Sequence, residues 1–504
     1  MLKIRRALIS VWNKDGLTEL ANCLARFQVE IISTGKTAAM LRKNGLKVQE
    51  VSSLTSFPEI LSGRVKTLHP FIFGGILANK KHPLHMEEIK NLGIQPIDMV
   101  VTNLYPFEEK LKEQLTLDEL IEYIDIGGPS LLRAGAKNFK NVACVSSPSQ
   151  YKAVIEAIEK DKGFLQEDLL QNLAQEVFYL TKEYDKAIYS YLKGKDFMTL
   201  DLEKVHGLRY GENPHQKADL YHLVNSGQLK FTQLQGKELS YNNFLDLDTA
   251  FITVREFNEP AASIVKHASL CGVGIDKRLS HAYKKAHMTD PISSFGGIIG
   301  LNKKVDKDTA KAILKSDFKE CVIAPSYSKE ALKLFSLKKN MRVIEADFLQ
   351  KCNYKEIRST VFGCLLQDRD TLTLDNANLK VVTKRKPNPR ELKDAIFAWK
   401  VAKFVRSNAI VIVRNLAVLS IGGGQPSRVG AARWALQNAI KSCRAAALAS
   451  DGFFPKEDSI KFAYKKGIKT IIQPGGSIRD KDIINLCNEL GISMLFTGTR
   501  HFRH

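Results

Sequence analysis

The feature that most constrains the fold is an alternation of short apolar runs with amphipathic stretches over the first 150 residues. This pattern is typical of a mainly parallel α/β sheet, in which strands and helices follow one another along the chain. The apolar runs predict strands at residues 6–12, 29–33, 97–105 and 141–147. Between the first two, apolar side chains recur at helical spacing and predict one buried stripe: Leu17, Leu20, Ala21, Leu24 and Phe27.

The end of this region carries two local signals. Thr116 followed by Glu119 is a capping-box pair and predicts a helix through residue 124. Glycine and proline at residues 127–129 predict that the chain breaks there. Residues 150–200 are mostly helical in pattern and could connect two lobes.

A second α/β region begins near Leu208. It contains predicted strands at 262–265 and 297–301 and a helix at 279–286. A similar series recurs at the end of the chain, with strands at 470–472 and 492–496, a turn at 474–476 and a helix at 482–490 that Gly491 caps. The recurrence predicts a duplicated α/β subdomain.

Length and charge limit the classes of protein. The 504 residues correspond to about three domains of roughly 150 residues each. With 44% hydrophobic and 26% charged residues, the composition excludes disordered and collagen-like chains. The formal net charge of +21 indicates an anionic partner, which could be nucleic acid, an acidic membrane surface or a small substrate carrying phosphate and carboxylate.

The cysteines and the apolar runs predict a compartment. Eight cysteines are too few for a disulfide framework in a chain of this length, and no two form a Cys-x-x-Cys pair, so zinc is not expected. The apolar stretch at residues 7–12 is too short for a signal peptide, and no run approaches the roughly 18 residues of a membrane helix. We therefore expect a reduced, soluble, cytoplasmic protein.

The segment Ser-Thr-Gly-Lys-Thr at residues 33–37 follows a predicted strand. A nucleotide triphosphatase motif would need glycine at position 30, which is Glu30. Small hydroxyl residues and glycine at a strand-to-helix turn nevertheless present backbone N–H groups that suit a phosphate. An ordinary turn is the alternative.

Two further polar segments lie in the first 150 residues. Residues 64–70 combine basic side chains with a hydroxyl, and their alternative interpretation is a solvated charged loop. Asp125 precedes a glycine pair and is followed by Arg133 and Lys137, a set that can bind an anionic nucleotide and move protons. The alternative for this set is a helix C-terminus with salt-bridging lysines.

In the second half, Lys266 and His267 follow the strand predicted to end at residue 265, a position where α/β sheets commonly place ligands. Histidine there can act as a base near neutral pH, and lysine can stabilise negative charge. Other loops supply glycine turns, anion donors and aromatic side chains suited to a flat ring with a charged tail: residues 290–297, 407–408, 422–428 and 451–455. Core packing is the alternative for the phenylalanines.

Eleven sequence blocks, taken in order, resemble the bifunctional AICAR transformylase/IMP cyclohydrolase family: RVKTLHP (64–70), NLYPF (103–107), IDIGGPSLLRAGAKN (124–138), LRYGENPHQ (208–216), QGKELSYNN (235–243), IVKHASLCGV (264–273), TDPISSFGG (289–297), VVTKRKP (381–387), WKVAKFVRSNAI (399–410), IQPGGSIRD (472–480) and RHFRH (500–504). The resemblance covers the chain nearly end to end. It implies an α/β fold with a methylglyoxal-synthase-like N-terminal domain and a duplicated cytidine-deaminase-like C-terminal region. The implied divisions are a cyclohydrolase domain at 1–148, a helical connector at 149–205 and a transformylase region of two α/β subdomains at 206–504.

The resemblance implies that the N-terminal domain closes formyl-AICAR to IMP with loss of water. By motif position, the residues that would hold the nucleotide and its phosphate are Lys14, Ser33, Thr34, Gly35, Thr37, Arg64, Lys66 and Thr67. Those that would surround the closing ring are Asn103, Tyr105, Asp125, Gly127 and Lys137. Among these, the residues implied to be catalytic are Lys66, Tyr105, Asp125 and Lys137.

For the C-terminal region, the resemblance implies formyl transfer from 10-formyltetrahydrofolate to the 5-amino group of AICAR. His267 would accept the proton, Lys266 would be its electrostatic partner, and Asn408 would lie near the formyl group. The implied AICAR-binding residues are Arg209, Tyr210, Ser427, Arg428 and Arg500. The implied folate-binding residues are Asp451, Phe453, Phe454 and Phe502. The Pro-Cys-x-x-Cys zinc signature of deaminases is absent, which agrees with metal-free transfer.

The implied partners are AICAR, formyl-AICAR and the cosubstrate 10-formyltetrahydrofolate, with no permanently bound cofactor, no nucleic acid and no membrane. The resemblance also implies a homodimer with active sites completed across subunits. The sequence departs from the family where Trp12, Asn13 and Lys36 replace smaller or acidic residues, and where Ser269 and Leu270 replace Asn-Pro. One alternative is therefore a transformylase with an impaired first domain, and a remote alternative is a basic nucleic-acid-binding protein.

Overall fold

A computed structural model describes residues 1–194, 197–224, 227, 229–350, 355–374 and 379–504 of the chain. The chain divides into two compact units, Met1–Thr199 and Leu200–His504. Among the described residues, no helix has the length and apolar character needed to cross a membrane.

The first unit is built around a parallel sheet. Its strands are β1 Leu2–Lys3, β2 Arg6–Ile9, β3 Glu30–Ser33, β4 Val48–Glu50, β5 Met99–Val101, β6 Ala143–Val145 and β7 Phe164–Leu165. Its helices are α1 Leu17–Arg26, α2 Gly35–Lys43, α3 Val51–Thr55, α4 Pro70–Leu77, α5 Pro83–Asn91, α6 Phe107–Lys110, α7 Leu117–Ile121, α8 Gly127–Lys137, α9 Tyr151–Lys160 and α10 Glu167–Lys193. Five strands pair in parallel in the order β4-β3-β2-β5-β6, while β1 and β7 form a separate antiparallel pair.

The periodic apolar residues form the core of this unit, as the spacing predicts. Leu17, Leu20 and Leu24 of α1 are fully buried against the sheet. The helical pattern of residues 150–200 is confirmed by α9 and α10, and Val154 and Leu173 belong to the same apolar cluster as α1.

The predicted chain break at residues 127–129 is wrong. Helix α8 begins at Gly127 and continues through Pro129 to Lys137. Proline is tolerated in a first helical turn because its missing N–H would have no partner within the helix there. The segment is therefore a helix N-terminus rather than a C-terminus. The capping box of Thr116 and Glu119 is confirmed, although its helix, α7, ends at Ile121.

The second unit contains a duplicated sheet. Its strands are β8 Leu202–Leu208, β9 Ala218–Leu223, β10 Phe231–Gln235, β11 Ala261–Lys266, β12 Ser269–Ile275, β13 Ile298–Leu301, β14 Cys321–Ala324, β15 Arg342–Ala346, β16 Glu356–Thr360, β17 Gly363–Gln367, β18 Lys380–Val381, β19 Ile410–Val413, β20 Val418–Gly422, β21 Ala447–Ser450, β22 Thr470–Gln473 and β23 Ser493–Phe496. Its helices are α11 Tyr241–Arg255, α12 Leu279–His287, α13 Lys307–Lys315, α14 Lys329–Phe335, α15 Pro389–Ala402, α16 Arg428–Gln437, α17 Asp458–Lys465 and α18 Asp480–Glu489.

The two six-stranded sheets have the same topology. The first has the order β10-β15-β14-β13-β11-β12 and the second the order β18-β23-β22-β21-β19-β20. Corresponding pairs run in the same sense: β13, β14 and β15 are parallel neighbours, as are β21, β22 and β23, and the flanking pairs are antiparallel. The predicted duplication is confirmed, but the matched segments are wrong: β11 and β13 correspond to β19 and β21, and not to β22 and β23 at residues 470–496.

The two halves of the second unit share a core. Gly274 of β12 forms a bridge with Ala417, and the Ile275 N–H donates to the Leu416 carbonyl at 3.1 Å. Buried side chains from α11 and α15 belong to one apolar cluster that includes both sheets. This shared core holds the loops of both halves in a fixed arrangement.

Candidate active sites

The carboxyl ends of β2, β3 and β5 meet at one edge of the first sheet because these strands are parallel. The hydroxyls of Ser10 and Thr34 lie 2.9 Å apart there, and the Thr37 hydroxyl donates to the Val11 carbonyl at 3.1 Å. Thr34 is the N-cap of α2, which begins at Gly35 with φ +40°. The predicted phosphate turn is thus a helix N-terminus at the sheet edge, where partial positive charge suits an anion.

Asn103 organises the loop that follows β2. Its Oδ1 accepts the N–H groups of Trp12 at 2.8 Å and Asn13 at 2.9 Å, and its Nδ2 donates to the Asn13 carbonyl at 2.8 Å. The Lys14 ammonium donates to the Trp12 carbonyl at 3.0 Å. Asn103, expected around the closing ring, therefore fixes the backbone that carries Lys14.

Trp12 forms an aromatic wall at this edge. Its indole meets Tyr105 edge to face with ring centroids 5.1 Å apart and lies 6.3 Å from Tyr123. The side chain is 48% exposed. Lys36 is exposed in the first turn of α2, where its charge can reach an anion at the helix N-terminus.

The loop at residues 57–69 links the N-termini of two helices. A Cβ at Gly35 of α2 would lie 3.8 Å from the Glu59 carboxylate, and a Cβ at Gly127 of α8 would lie 3.1 Å from the Thr67 hydroxyl. Thr67 is buried, whereas Arg64 is exposed and paired with Glu122. The basic segment 64–70 therefore lies beside the N-terminus of α8 through Thr67, whereas the acidic Glu59, which precedes it, lies beside the N-terminus of α2.

Asp125 lies at the start of α8. Its Oδ1 accepts the Gly128 N–H at 2.8 Å, and its own N–H donates to the Tyr184 hydroxyl at 2.8 Å. Burial raises the pKa of the Asp125 carboxyl, while the Gly128 N–H and the nearby charge of Lys66 oppose the rise. A carboxyl with a raised pKa can take up and release protons closer to neutral pH than an exposed one.

Lys137 lies apart from this group along the chain. It is the last residue of α8, ten residues after Gly127, and a rise of 1.5 Å per residue separates their Cα atoms by about 15 Å. The structure brings Lys66, Thr67 and Asp125 to the start of α8, and Lys137 to its exposed end.

In the second unit, Lys266 and His267 lie where β11 turns into β12. The strands pair up to Lys266 and Ser269, leaving His267 and Ala268 as a two-residue turn with φ of +53° and +52°. The His267 side chain is exposed, and the Lys266 ammonium donates to the Phe295 carbonyl at 2.8 Å. The loop at 289–297, which the sequence singled out for its polar residues, thus fixes Lys266.

Helix α11 connects this turn with the predicted AICAR-binding loop. Asn242, near the start of the helix, donates to the Glu212 carbonyl at 3.3 Å, in the loop that carries Arg209 and Tyr210. Asp246, one turn later, accepts the Ala268 N–H. Asp246 lies just beyond the QGKELSYNN block and was not predicted from the sequence.

The residues on either side of Asn408, together with Arg428, contact the buried carboxylate of Asp451. Asn408 donates its Nδ2 to the Gln425 carbonyl at 2.9 Å. Asp451 is fully buried and accepts from the Arg428 guanidinium, the Ser407 hydroxyl and the Ala409 N–H, the last at 3.0 Å. Asp451, expected on the folate side, therefore has no surface for a ligand and instead holds Arg428 and the segment before β19.

The aromatic residues expected near folate divide between surface and core. Phe454 is 1% exposed and belongs to the core of the second sheet, whereas Phe453 is 40% exposed. Phe502 is also exposed, with the Arg500 guanidinium 4.3 Å and that of Arg428 5.9 Å from its ring centroid. Ser427 caps α16 by accepting the Gly430 N–H. The structure thus brings Arg428, Arg500 and Phe502 together and leaves Phe454 in the core.

A cavity of about 940 Å³ opens beside Phe502. Its apolar wall includes Phe244 and Phe251 of α11, and its polar wall includes Arg358 and the C-terminal residues Arg503 and His504. Arg503 donates to the Thr249 hydroxyl of α11 at 3.4 Å, which ties the chain end to this helix. Arg503 and His504 were not predicted as site residues, although they belong to the RHFRH block; their basic side chains within that block were the available signal.

Comparison with known proteins identifies the family. The family model for the AICARFT/IMPCHase bienzyme matches residues 135–438, and the model for the MGS-like domain matches residues 16–130. The chain is 48% identical over 519 residues to the bifunctional purine biosynthesis protein PurH of Caldicellulosiruptor bescii, and 45% identical over 511 residues to that of Bacillus thuringiensis subsp. konkukian. Each alignment covers 99% of this chain and 100% of the relative. The resemblance drawn from the motif blocks is confirmed, and the chain belongs to the AICARFT/IMPCHase bienzyme family.

Proposed function

We propose that this bifunctional purine-biosynthesis enzyme transfers a formyl group to AICAR in its second unit and closes the product to IMP in its first. The observation that carries the proposal is the full-length family match, and the two clusters of side chains described above supply the chemistry. The match gives no support to a nucleic-acid-binding protein or to a transformylase with a decayed first domain.

In formyl transfer, the 5-amino nitrogen of AICAR attacks the formyl carbon of 10-formyltetrahydrofolate. The new C–N bond replaces the bond from the formyl carbon to N10, and tetrahydrofolate leaves as N10 takes a proton. His267, exposed at the end of the β-hairpin, is suited to accept the proton lost by the amine. Lys266, whose ammonium donates to the Phe295 carbonyl, is suited to stabilise the negative charge that develops on the formyl oxygen.

The anionic parts of the substrates require cations. We assign AICAR to Arg209, Tyr210, Ser427, Arg428 and Arg500, of which Arg428 and Arg500 share the Phe502 ring. Because Arg428 is buried and paired with Asp451, its proposed contribution to AICAR binding is to position Phe502, whose ring centroid lies 5.9 Å from its guanidinium. We assign folate, with its flat pterin and carboxylate tail, to the exposed rings of Phe453 and Phe502 and to the adjoining cavity, whose polar wall carries both cations and carboxylates.

In ring closure, the carboxamide nitrogen of formyl-AICAR attacks the formyl carbon, and the resulting hydroxyl leaves as water. The N-terminus of α2 and Lys14 are proposed to hold the phosphate. Asp125 has the raised pKa needed to move a proton in dehydration, and Lys66 and Tyr105 line the same edge. Lys137 stays a catalytic candidate on the resemblance alone.

The family implies AICAR and formyl-folate as substrates, and we extend this to a cytoplasmic homodimer. The hairpin of β16 and β17 supports self-association, because Val361 and Phe362 at its tip are 96% and 98% exposed. Sedimentation equilibrium of the purified protein tests this proposal, and a monomer at all micromolar concentrations would contradict it.

A coupled assay tests the assignment of both activities. Purified protein supplied with AICAR and 10-formyltetrahydrofolate should produce IMP, whereas accumulation of formyl-AICAR would show that the first site is inactive. His267→Ala should abolish formyl transfer and leave cyclisation of supplied formyl-AICAR intact. Retention of formyl transfer in that variant would refute His267 as the base.

A further inference from the structure

The turn that carries His267 has an unfavourable backbone for its sequence. A two-residue hairpin turn in which both residues have positive φ is a type I′ turn, and this turn type favours Asn-Gly. Here the residues are His267 and Ala268, which pay a steric cost in the left-handed region because they have a Cβ. Contacts elsewhere must therefore hold the turn in this shape.

Asp246 of α11 provides such a contact. Its Oδ1 accepts the N–H of Ala268, and the backbone N–H of His267 also acts on the same carboxylate. Burial raises the pKa of the Asp246 carboxyl, and the hydrogen bonds from these N–H groups oppose the rise. The carboxylate thus reaches the turn from a helix that lies outside the hairpin.

The duplicated half repeats this arrangement. The turn between β19 and β20 consists of Asn415 and Leu416, with φ of +57° and +55°. Asp394 of α15 accepts the Asn415 N–H at 2.9 Å and the Leu416 N–H at 2.7 Å. Asp246 and Asp394 are each the sixth residue of their helix. Recurrence of the same clamp in two halves with different turn sequences indicates that the carboxylate serves the backbone of the turn.

We propose that Asp246 is a positioning residue that holds the His267–Ala268 turn in its left-handed conformation and thereby aims His267 at the substrate amine. The inference rests on the proposed role of His267 as proton acceptor. It assigns Asp246 no contact with substrate.

Asp246→Ala and the matched control Asp394→Ala test the proposal. Each removes one aspartate clamp, so each should lower the melting temperature. Only Asp246→Ala should lower kcat for formyl transfer, by about 10- to 100-fold with the KM for AICAR within about threefold, because a displacement near 1 Å at a catalytic group costs on this order. Asp394→Ala should keep kcat within about threefold of the wild type. Cyclisation of supplied formyl-AICAR should be unchanged in both.

A second substitution separates positioning from a direct electrostatic effect on His267. Glycine adopts positive φ without a steric cost, so Ala268→Gly should restore at least tenfold of the lost kcat in the Asp246→Ala background. If Asp246→Ala does not fold, Asp246→Asn is measured instead, with a loss of about three- to tenfold that Ala268→Gly reverses.

Unchanged kcat in Asp246→Ala, an equal loss in Asp394→Ala, or no recovery with Ala268→Gly would overturn the inference. These outcomes differ from a failure of the proposed function, which would appear as formyl transfer by His267→Ala.

Discussion

Replacing Asp451 by alanine should destabilise the second unit rather than weaken folate binding directly. The Asp451 side chain is fully buried, and its carboxylate accepts from Arg428, the Ser407 hydroxyl and the Ala409 N–H. The Arg428 side chain is itself only 7% exposed. Removal of the Asp451 carboxylate would leave the Arg428 guanidinium buried. Among the described residues, its one remaining acceptor would be the Ser450 hydroxyl at 2.9 Å.

The expected magnitude follows from this burial. Removing one partner of a buried ion pair costs about 3–5 kcal/mol, because the other charge stays desolvated. Large domains lose about 2 °C of melting temperature for each kcal/mol of lost unfolding free energy. The melting temperature of the second unit should therefore fall by about 6–10 °C. A ligand contact on the surface would have no such effect on stability.

Differential scanning calorimetry and formyl-transfer kinetics on one preparation measure both quantities. The double substitution Arg428→Met with Asp451→Leu is the control, since an apolar pair of similar size removes the uncompensated charge and should regain at least half of the lost stability. A melting temperature within 1 °C of the wild type, together with a several-fold rise in KM for 10-formyltetrahydrofolate, would refute this reasoning and return Asp451 to the folate side.

Two further predictions concern the first unit. Trp12→Ala should slow cyclisation of formyl-AICAR by about 2- to 13-fold, since its edge-to-face contact orders Tyr105 and such aromatic pairs contribute about 0.5–1.5 kcal/mol. The control is Trp434→Ala, which removes an indole that is 53% exposed on α16 and should leave the rate unchanged. Faster cyclisation by Trp12→Ala would show that the indole obstructs the site. Because burial raises the pKa of Asp125, its base form is lost as pH falls through a value above the ordinary one near 3.9, so the pH profile of cyclisation should have an acidic limb there. Asp125→Asn should remove that limb with most of the rate, and an unchanged profile would exclude Asp125 as the titrating group.

The sequence predicted secondary structure best where periodicity determines it. The stripe on α1, the strand that ends at Lys266 and the helix capped by Gly491, which has φ +62°, all follow from local patterns. The start of α8 was mistaken because glycine and proline signal a break, although the same residues are tolerated in a first turn. Local residue type alone could not determine which end of a helix the segment formed.

The site residues were harder to predict because burial depends on contacts far along the chain. Phe453 and Phe454 are neighbours of the same type, yet one is exposed and the other lies in the core. Asp451 is buried by Arg428, 23 positions away, and Asp246 reaches Ala268 over 22 positions. The family resemblance gave positions and roles by motif, but it could not show which side chains were already engaged by partners inside the protein. The methylglyoxal-synthase-like character of the first domain is confirmed, while likeness of the second region to cytidine deaminase stays a prediction.

The duplication places two equivalent turns in different surroundings. In the second half, the turn at Asn415 and Leu416 joins the halves: the Leu416 carbonyl accepts from Ile275, and the Asn415 carbonyl accepts from the Lys285 ammonium at 3.0 Å. In the first half, the equivalent residue is His267, whose side chain is exposed. Both turns require an aspartate clamp because both have the same strained backbone. The same aspartate clamp thus holds a turn that joins the two halves and, in the first half, the turn on which His267, the proposed base, is exposed to solvent.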